Sequence, residues 1–255
     1  MRVPLPAGFL SLPIAHRALH DRAKRRPENS VGAIRAAVVA GYAIEIDIQV
    51  SLDGVPMVFH DDELDRLTVA SGPVSRLTAK ELTRIELLDS DDTIPTLAQT
   101  LALVAGRVPL LIEIKDQTQA MSDTDGRFEA AIAALLSLYQ GPVAVMSFNP
   151  FSVAHMARFA PGLPRGLTTS AYDPADWSPL PPETCARLRE IPDFDRTLSS
   201  FISHEAVDLS RTRVDELKGR GVAILCWTIR SPEAEAVARR IAQNVTFEGY
   251  LPRIA

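Results

Sequence analysis

Five consecutive residues, Ile44-Glu45-Ile46-Asp47-Ile48, constrain this chain more than any other stretch. Isoleucine is β-branched and favours an extended backbone, whose period of two puts Glu45 and Asp47 on one face and all three isoleucines on the other. Two carboxylates converging inside a fold repel unless a cation, a proton or a base pair neutralises them, and a hard divalent ion with oxygen ligands does this best. An edge strand with a solvated acidic face fits the same five residues. A second stretch, Leu111-Ile112-Glu113-Ile114-Lys115, repeats the alternation with a carboxylate and an ammonium. Glu113 can complete a three-carboxylate set, and Lys115 can face an anionic substrate or pair with Glu113.

Short apolar runs that end in polar residues recur between longer helical patterns, the alternation expected of βα units around a parallel sheet. Eight such runs are Leu12 to Ala15, Ala43 to Ile48, Val108 to Ile114, Val143 to Ser147, Arg165 to Leu167, Phe201 to Ser203, Val222 to Thr228 and Asn244 to Phe247. Between the first two, Ser30 to Ala40 reads as a helix capped by Gly41. The fifth and sixth runs are short, so the count of eight leans on closure of a (β/α)8 TIM barrel; periodicity alone also permits an open doubly wound sheet. The rhythm breaks at 55–103, where Val55 to Phe59 adds an apolar run, and this stretch is expected to be a small insertion after the second barrel strand. Proline-rich Asp173 to Pro192 is expected to be a long loop over the barrel mouth or side. At 255 residues and 46% hydrophobic content, residues 1–255 form one expected catalytic domain.

A net charge of -5 argues against nucleic acid or an anionic membrane as partner, so an anionic small-molecule substrate must be captured locally. No apolar run approaches the roughly 18 residues that span a bilayer, and Pro4, Pro6 and Pro13 interrupt the N-terminal stretch. Cys185 and Cys226 lack metal-type spacing and are expected to be reduced, which points to the cytoplasm.

The remaining chemistry sits at strand ends, where barrel enzymes assemble their sites. Ile14-Ala15-His16-Arg17 delivers an imidazole and a guanidinium side by side, and Met57-Val58-Phe59-His60-Asp61 delivers a second histidine. Arginine matches phosphate oxygens bidentately, and two histidines can divide the roles of acid and base in phosphodiester cleavage. Trp227, after Ala223 to Cys226, can stack on a substrate, clamp a quaternary ammonium or simply fill the barrel rim.

In order along the chain stand His16-Arg17, Pro27-Glu28-Asn29-Ser30, Glu45-Ile46-Asp47, Asp53-Gly54, His60-Asp61, Leu64-Asp65-Arg66, Ile94-Pro95-Thr96-Leu97 and Glu113-Ile114-Lys115. With this series the chain resembles the glycerophosphodiester phosphodiesterases, related in fold to the phosphatidylinositol-specific phospholipases C. The later part matches more loosely, through Ser147-Phe148, Trp227-Thr228 and Thr246-Phe247-Glu248-Gly249. The resemblance implies that Glu45, Asp47 and Glu113 hold one Mg2+ or Ca2+ ion, that His16 and His60 are the acid-base pair, and that Arg17 and Lys115 bind phosphate. It further implies hydrolysis of glycerophosphodiesters such as glycerophosphocholine and glycerophosphoethanolamine to glycerol 3-phosphate and an alcohol. In such enzymes the substrate's glycerol hydroxyl attacks phosphorus and water opens the resulting cyclic phosphate. Three alternatives share the barrel: a phospholipase-D-like activity, a lysophospholipid phosphodiesterase, and a glycerophosphodiester-binding module without catalysis. The chain departs from the family pattern at Ala18, where glycine is usual, in the basic loop 20–26, and at Glu248, where aspartate is frequent. Glu28 is left between a role beside His16 or the metal and one in the first helical turn; His155 and His204 are left outside the site.

Overall fold

The computed structural model describes residues 1–254. Eight parallel strands close on themselves: β1 (Ile14–Ala15), β2 (Ala43–Val50), β4 (Leu110–Ile114), β5 (Val143–Ser147), β6 (Arg165–Thr169), β7 (Phe201–Glu205), β8 (Ala223–Ile229) and β9 (Asn244–Phe247). A ninth, β3 (Pro56–Val58), runs antiparallel along β2. Closure comes from β1, which pairs with β9 on one side and β2 on the other, as a TIM barrel requires. An open doubly wound sheet is thereby excluded.

The alternation of β2 and β4 sorts the two faces. Ile44, Ile46, Ile48, Ile112 and Ile114 join the large cluster under the surrounding helices, which include Val31–Ala40 and Leu97–Val104. Fully burying one such side chain stabilises by about 1.5–3 kcal/mol relative to exposure. The opposite face points into the barrel. Its N-terminal end is filled by Ile14, Ala43, Leu111, Ala144, Phe201 and Leu225, with Phe9 of a short helix as the plug. Gly166 belongs to this packing, because a Cβ there would lie 2.4 Å from the Phe201 ring. The apolar floor leaves Glu45, Asp47 and Glu113 at the C-terminal end.

Several boundaries move for physical reasons. β1 keeps only two residues of Leu12 to Ala15, since Leu12 ends the helix Gly8–Ser11. β4 begins at Leu110 rather than Val108, because Pro109 has no N–H to give a ladder. The weak fifth and sixth runs are each two residues longer than the apolar pattern, reaching Thr169 and Glu205, because neighbouring strands satisfy their backbones. The helix after β1 starts at Val31 with Ser30 as its cap, its hydroxyl accepting from Ala33 N, and ends at Gly41 with φ 80°.

Between β2 and β4 the chain builds its own small core from Met57, Phe59, Leu64, Val74, Leu82, Leu87 and Ile94. The helix Leu97–Val104, which overlaps the end of 55–103, packs instead into the main barrel core. The segment Asp173 to Pro192 is not all loop, as expected from its prolines. It contains the helix Pro182–Arg189, which accommodates Pro182 in its first turn, where a missing N–H costs nothing. Trp177 to Leu180, just before that helix, do reach the barrel mouth. Among the described residues, no helix is long and apolar enough to cross a membrane.

Candidate active site

One pocket of about 530 Å³ opens at the C-terminal end of the barrel, and all eight residues singled out in the sequence line it: His16, Arg17, Glu45, Asp47, His60, Glu113, Lys115 and Trp227. Each lies on a strand or within two residues beyond its C-terminal end. His16 and Arg17 follow β1, whose register beside Ala43 and Ile44 sets them next to Glu45. Arg17 N donates to Glu45 Oε2 at 2.8 Å. Asp47 stands opposite Glu113 in the β2–β4 ladder. His60 follows β3, and Phe59 N donates to Asp47 O at 3.1 Å, which brings the imidazole over the carboxylates. Lys115 Nζ donates to Glu113 Oε1 at 2.8 Å and lies 3.5 Å from Asp47 Oδ1.

The three carboxylates are buried and offer one oxygen each within 4.8 Å of one another. Burial, together with Asp47 and Glu113, pushes the Glu45 carboxyl well above the usual carboxylate range. Burial pushes Asp47 the same way, but His60, Lys115 and Arg17 outweigh it and hold this carboxyl well below its ordinary value. Asn29 adds a two-way clasp, its Nδ2 donating to Asp47 Oδ2 at 3.0 Å and its Oδ1 accepting from Asp47 N at 3.2 Å. Glu45 thus carries more negative charge around it than the nearby cations offset. An all-oxygen set with surplus negative charge fits a hard divalent cation.

The two histidines are oriented alike. His16 Nδ1 lies 2.6 Å from Glu248 Oε2, and His60 Nδ1 lies 2.6 Å from Asp61 Oδ1. A carboxylate at that distance holds the proton on Nδ1 and leaves Nε2 for the pocket that both rings line. Burial draws the His16 imidazole below its ordinary value; Glu248 opposes this and Arg17 reinforces it. Asp61 is pushed up by burial, yet hydrogen bonds from His60 and Arg66 hold it well below the usual range.

Glu28 touches neither His16 nor the carboxylate cluster. It accepts from Arg17 Nη1 at 2.7 Å and from both terminal nitrogens of Arg66 at 2.8 and 2.9 Å. Arg66 also donates to Asp61 through Nε at 2.6 Å. A continuous chain therefore runs His60, Asp61, Arg66, Glu28, Arg17, joining the second histidine to the guanidinium beside the first. Arg66 and Glu28 both stand in the ordered motif series, which gave Arg66 no role and left Glu28 open; adjacency of Asp61 to His60 was the signal for the first link. Glu248, which the sequence marks as a departure from the family's aspartate without fixing its role, is the carboxylate beside His16 Nδ1.

Opposite the charged floor stands an aromatic wall. Phe148 packs edge-on against Trp177 and Trp227 with centroids 4.9 and 5.5 Å away, and Trp177 leans on Tyr172 at 4.7 Å. Trp227 is pinned by its indole N–H, which donates to Ser203 O at 3.0 Å. Phe148 stands in the looser part of the motif series without an assigned role, and Trp177 has only its place inside a proline-rich connection as a hint. The basic loop 20–26 points elsewhere, with Arg22 and Arg25 paired to Asp89 and Asp91 on the surface. His204 is fully buried between Thr169 Oγ1 and Asp208, and His155 pairs with Asp123. Neither lines the pocket.

Comparison with known proteins gives the chain's family and fold. Residues 16–246 match the model of the glycerophosphoryl diester phosphodiesterase family. A Bos taurus glycerophosphodiester phosphodiesterase 1 is 35% identical over 263 residues, covering 91% of this chain and 75% of the bovine protein. A glycerophosphodiester phosphodiesterase of Caldanaerobacter subterraneus subsp. tengcongensis is 30% identical over 165 residues, covering 62% of this chain and 66% of its own. In fold, an Oleispira antarctica phosphodiesterase solved in complex with sn-glycerol-3-phosphate superposes with a TM-score of 0.75 at 23% identity, covering 93% of each chain.

Proposed function

The chain belongs to the glycerophosphoryl diester phosphodiesterase family, and on that premise we propose that it hydrolyses small glycerophosphodiesters to glycerol 3-phosphate and an alcohol by histidine acid-base catalysis. The observation that carries this reading is the pair of carboxylate-oriented histidines facing one pocket across a three-carboxylate cluster. The complex of the Oleispira antarctica protein with sn-glycerol-3-phosphate adds support for a product of that kind.

Glu45, Asp47 and Glu113 would hold one Mg2+ or Ca2+ ion. When bound, such an ion supplies Lewis-acid stabilisation of negative charge on the phosphoryl oxygens. Arg17 and Lys115 bind the phosphate from either side of the carboxylates, and both are held charged. Burial works against each cation, but Asp47 and Glu28 outweigh it for Arg17, and Glu113 and Asp47 outweigh it for Lys115. His16, kept neutral by burial, takes the proton of the attacking hydroxyl at Nε2, while Glu248 steadies the imidazolium that forms. His60, backed by Asp61, protonates the departing alcohol. In the second stage water opens the cyclic phosphate and the two histidines exchange roles.

The alcohol lies against Phe148, Trp177 and Trp227, with Asp176 at the same rim. Aromatic faces beside a carboxylate suit a cationic headgroup such as choline. The apolar wall, extended by Met121 and Leu180, also favours a second reading in which a lysophospholipid is the substrate. We take residues 1–255 as one catalytic unit with 55–103 as its insertion, and the two free buried cysteines fit a cytoplasmic setting.

The test is release of glycerol 3-phosphate by chelator-stripped protein given glycerophosphocholine or glycerophosphoethanolamine, with Mg2+ or Ca2+ added separately. Metal-restored release is expected, and it should disappear in His16→Ala and His60→Ala with the fold intact. Release only from lysolipid vesicles would favour the second reading; tight binding without product under either ion would overturn hydrolysis.

A further inference from the structure

Behind His16, on the side away from the substrate pocket, three metal-competent groups converge that the reaction above uses only in part. His20 Nε2 lies 3.6 Å from Glu248 Oε2, the same oxygen that His16 Nδ1 approaches to 2.6 Å. One ligand atom from each of His16, His20 and Glu248 lies within 4.8 Å of the others. His20 Nε2 is buried and has no hydrogen-bond partner, so a ring nitrogen aimed at a carboxylate is left unsatisfied. The backbone is bent to bring it there. Arg17 and Ala18 have φ of 49° and 64°, and His20 N donates back to Ala18 O at 2.9 Å.

Access is separate as well. His20 and Glu248 line a second cavity of about 670 Å³, bordered by Lys24, Arg26 and Tyr250, which shares no lining residue with the substrate pocket.

We propose that His16, His20 and Glu248 form a second, inhibitory site for a zinc-type dication, entered from this rear cavity. Two imidazoles and one carboxylate, with water as a fourth ligand, form the donor set zinc prefers, and tetrahedral coordination at about 2.0–2.1 Å separates ligands by about 3.4 Å. The His20 to Glu248 separation already suits this, and the His16 to Glu248 contact widens by under an ångström. The ion takes the lone pair of His16 Nδ1. The ring proton leaves Nδ1 for solvent and one is taken up at Nε2, so the imidazole stays neutral but presents N–H to the pocket. In that form it can donate a proton but cannot accept one. Inhibition therefore lowers kcat and leaves KM unchanged, since the substrate pocket is not entered.

This inference rests on the reading of His16 as the base, so binding and turnover are tested apart. Binding is read with Co2+ added to protein whose carboxylate site is saturated with Mg2+. A four-coordinate visible spectrum at one equivalent is expected in the wild type and absent in His20→Gln; a spectrum unchanged in the variant, or none in the wild type, overturns the site. Turnover of glycerophosphocholine is then titrated with Zn2+. His20→Gln should keep zinc-free turnover within about twofold and need at least tenfold more zinc for half-inhibition. Equal sensitivity of the two proteins, or inhibition relieved by raising Mg2+ or Ca2+, would mean zinc acts at Glu45, Asp47 and Glu113 and would overturn the proposal. A His20-dependent cobalt spectrum in a protein that cleaves none of the substrates would sustain the site and overturn only the reaction.

Discussion

Replacing Glu248 by glutamine tests how His16 is made into a base. The carboxylate accepts from His16 at 2.6 Å through Oε2 and from Arg230 Nε at 2.7 Å through Oε1. Glutamine keeps the length and one oxygen but loses the charge. A hydrogen bond to a charged group contributes about 1.5–3 kcal/mol against about 1 for a neutral one, so the imidazolium formed during proton transfer loses about 0.5–2 kcal/mol of support. At 1.36 kcal/mol per decade, kcat should fall about 2- to 30-fold. The exposed Arg230 can turn to water at little cost, so Arg230→Ala alone should stay within about twofold. The pH profile separates this from general damage. Burial, the largest influence on His16, and Arg17 lower its value while Glu248 raises it, and the net shift is downward from 6.5. The wild-type acid limb of kcat/KM should therefore lie below pH 6.5, and Glu248→Gln should move it further down. Steady-state rates on glycerophosphocholine between pH 4.5 and 9 give both quantities. A variant within twofold of wild type, or a loss of rate with an unmoved acid limb, would refute the orienting role of Glu248.

Three further outcomes follow from the same geometry. Glu45→Gln removes one of three crowded anions, so metal-stripped protein should unfold about 1 kcal/mol less readily while stabilisation by added Mg2+ or Ca2+ shrinks; a stripped variant melting below the wild type would contradict the surplus of negative charge. Ala18→Gly should stabilise by about 0.5–1 kcal/mol, or about 2–4 °C in Tm per kcal/mol, because φ is 64° there and a left-handed residue with Cβ costs about 1–2 kcal/mol; an unchanged or lower Tm in calorimetry would count against strain. Gly166→Ala should cost about 1–3 kcal/mol in denaturant unfolding through its collision with the Phe201 ring, and Phe201→Leu in the same chain should recover part of that; no cost in the single variant would mean the barrel floor is looser than drawn.

The family's usual glycine at position 18 has a physical explanation here, since the backbone after Arg17 turns through the left-handed region where glycine pays no steric cost. Such reasoning shows what local pattern can carry. Strand period is a property of neighbouring residues, so Ile44 to Ile48 and Leu111 to Lys115 declared that their charged residues share one face, while only the closed barrel decided that this face points inward. The helix end at Gly41 was legible for the same reason, and its start was read one residue early, at the capping Ser30. The strands Arg165–Thr169 and Phe201–Glu205 were legible only in part, because their polar ends are stabilised by ladder partners rather than by their own side chains.

What only the tertiary structure decided is who meets whom across the barrel. Pairing of β1 with β9 sets Ala15 beside Phe247, and so delivers Glu248 to His16 from the far end of the chain. Arg66 and Glu28 bridge the two halves of the site through side chains whose sequence spacing has no period. The aromatic wall gathers Phe148 from the end of β5, Trp177 from the connection after β6 and Trp227 from within β8. Sequence by itself determined the chemical inventory and the face on which each strand residue points, because those follow from dihedral angles within a few residues. Closure of the barrel decided the orientation of His16, the exit of the basic loop and the second cavity behind His16, because those depend on contacts between segments that no local preference links, whereas His60 is oriented by its own sequence neighbour Asp61.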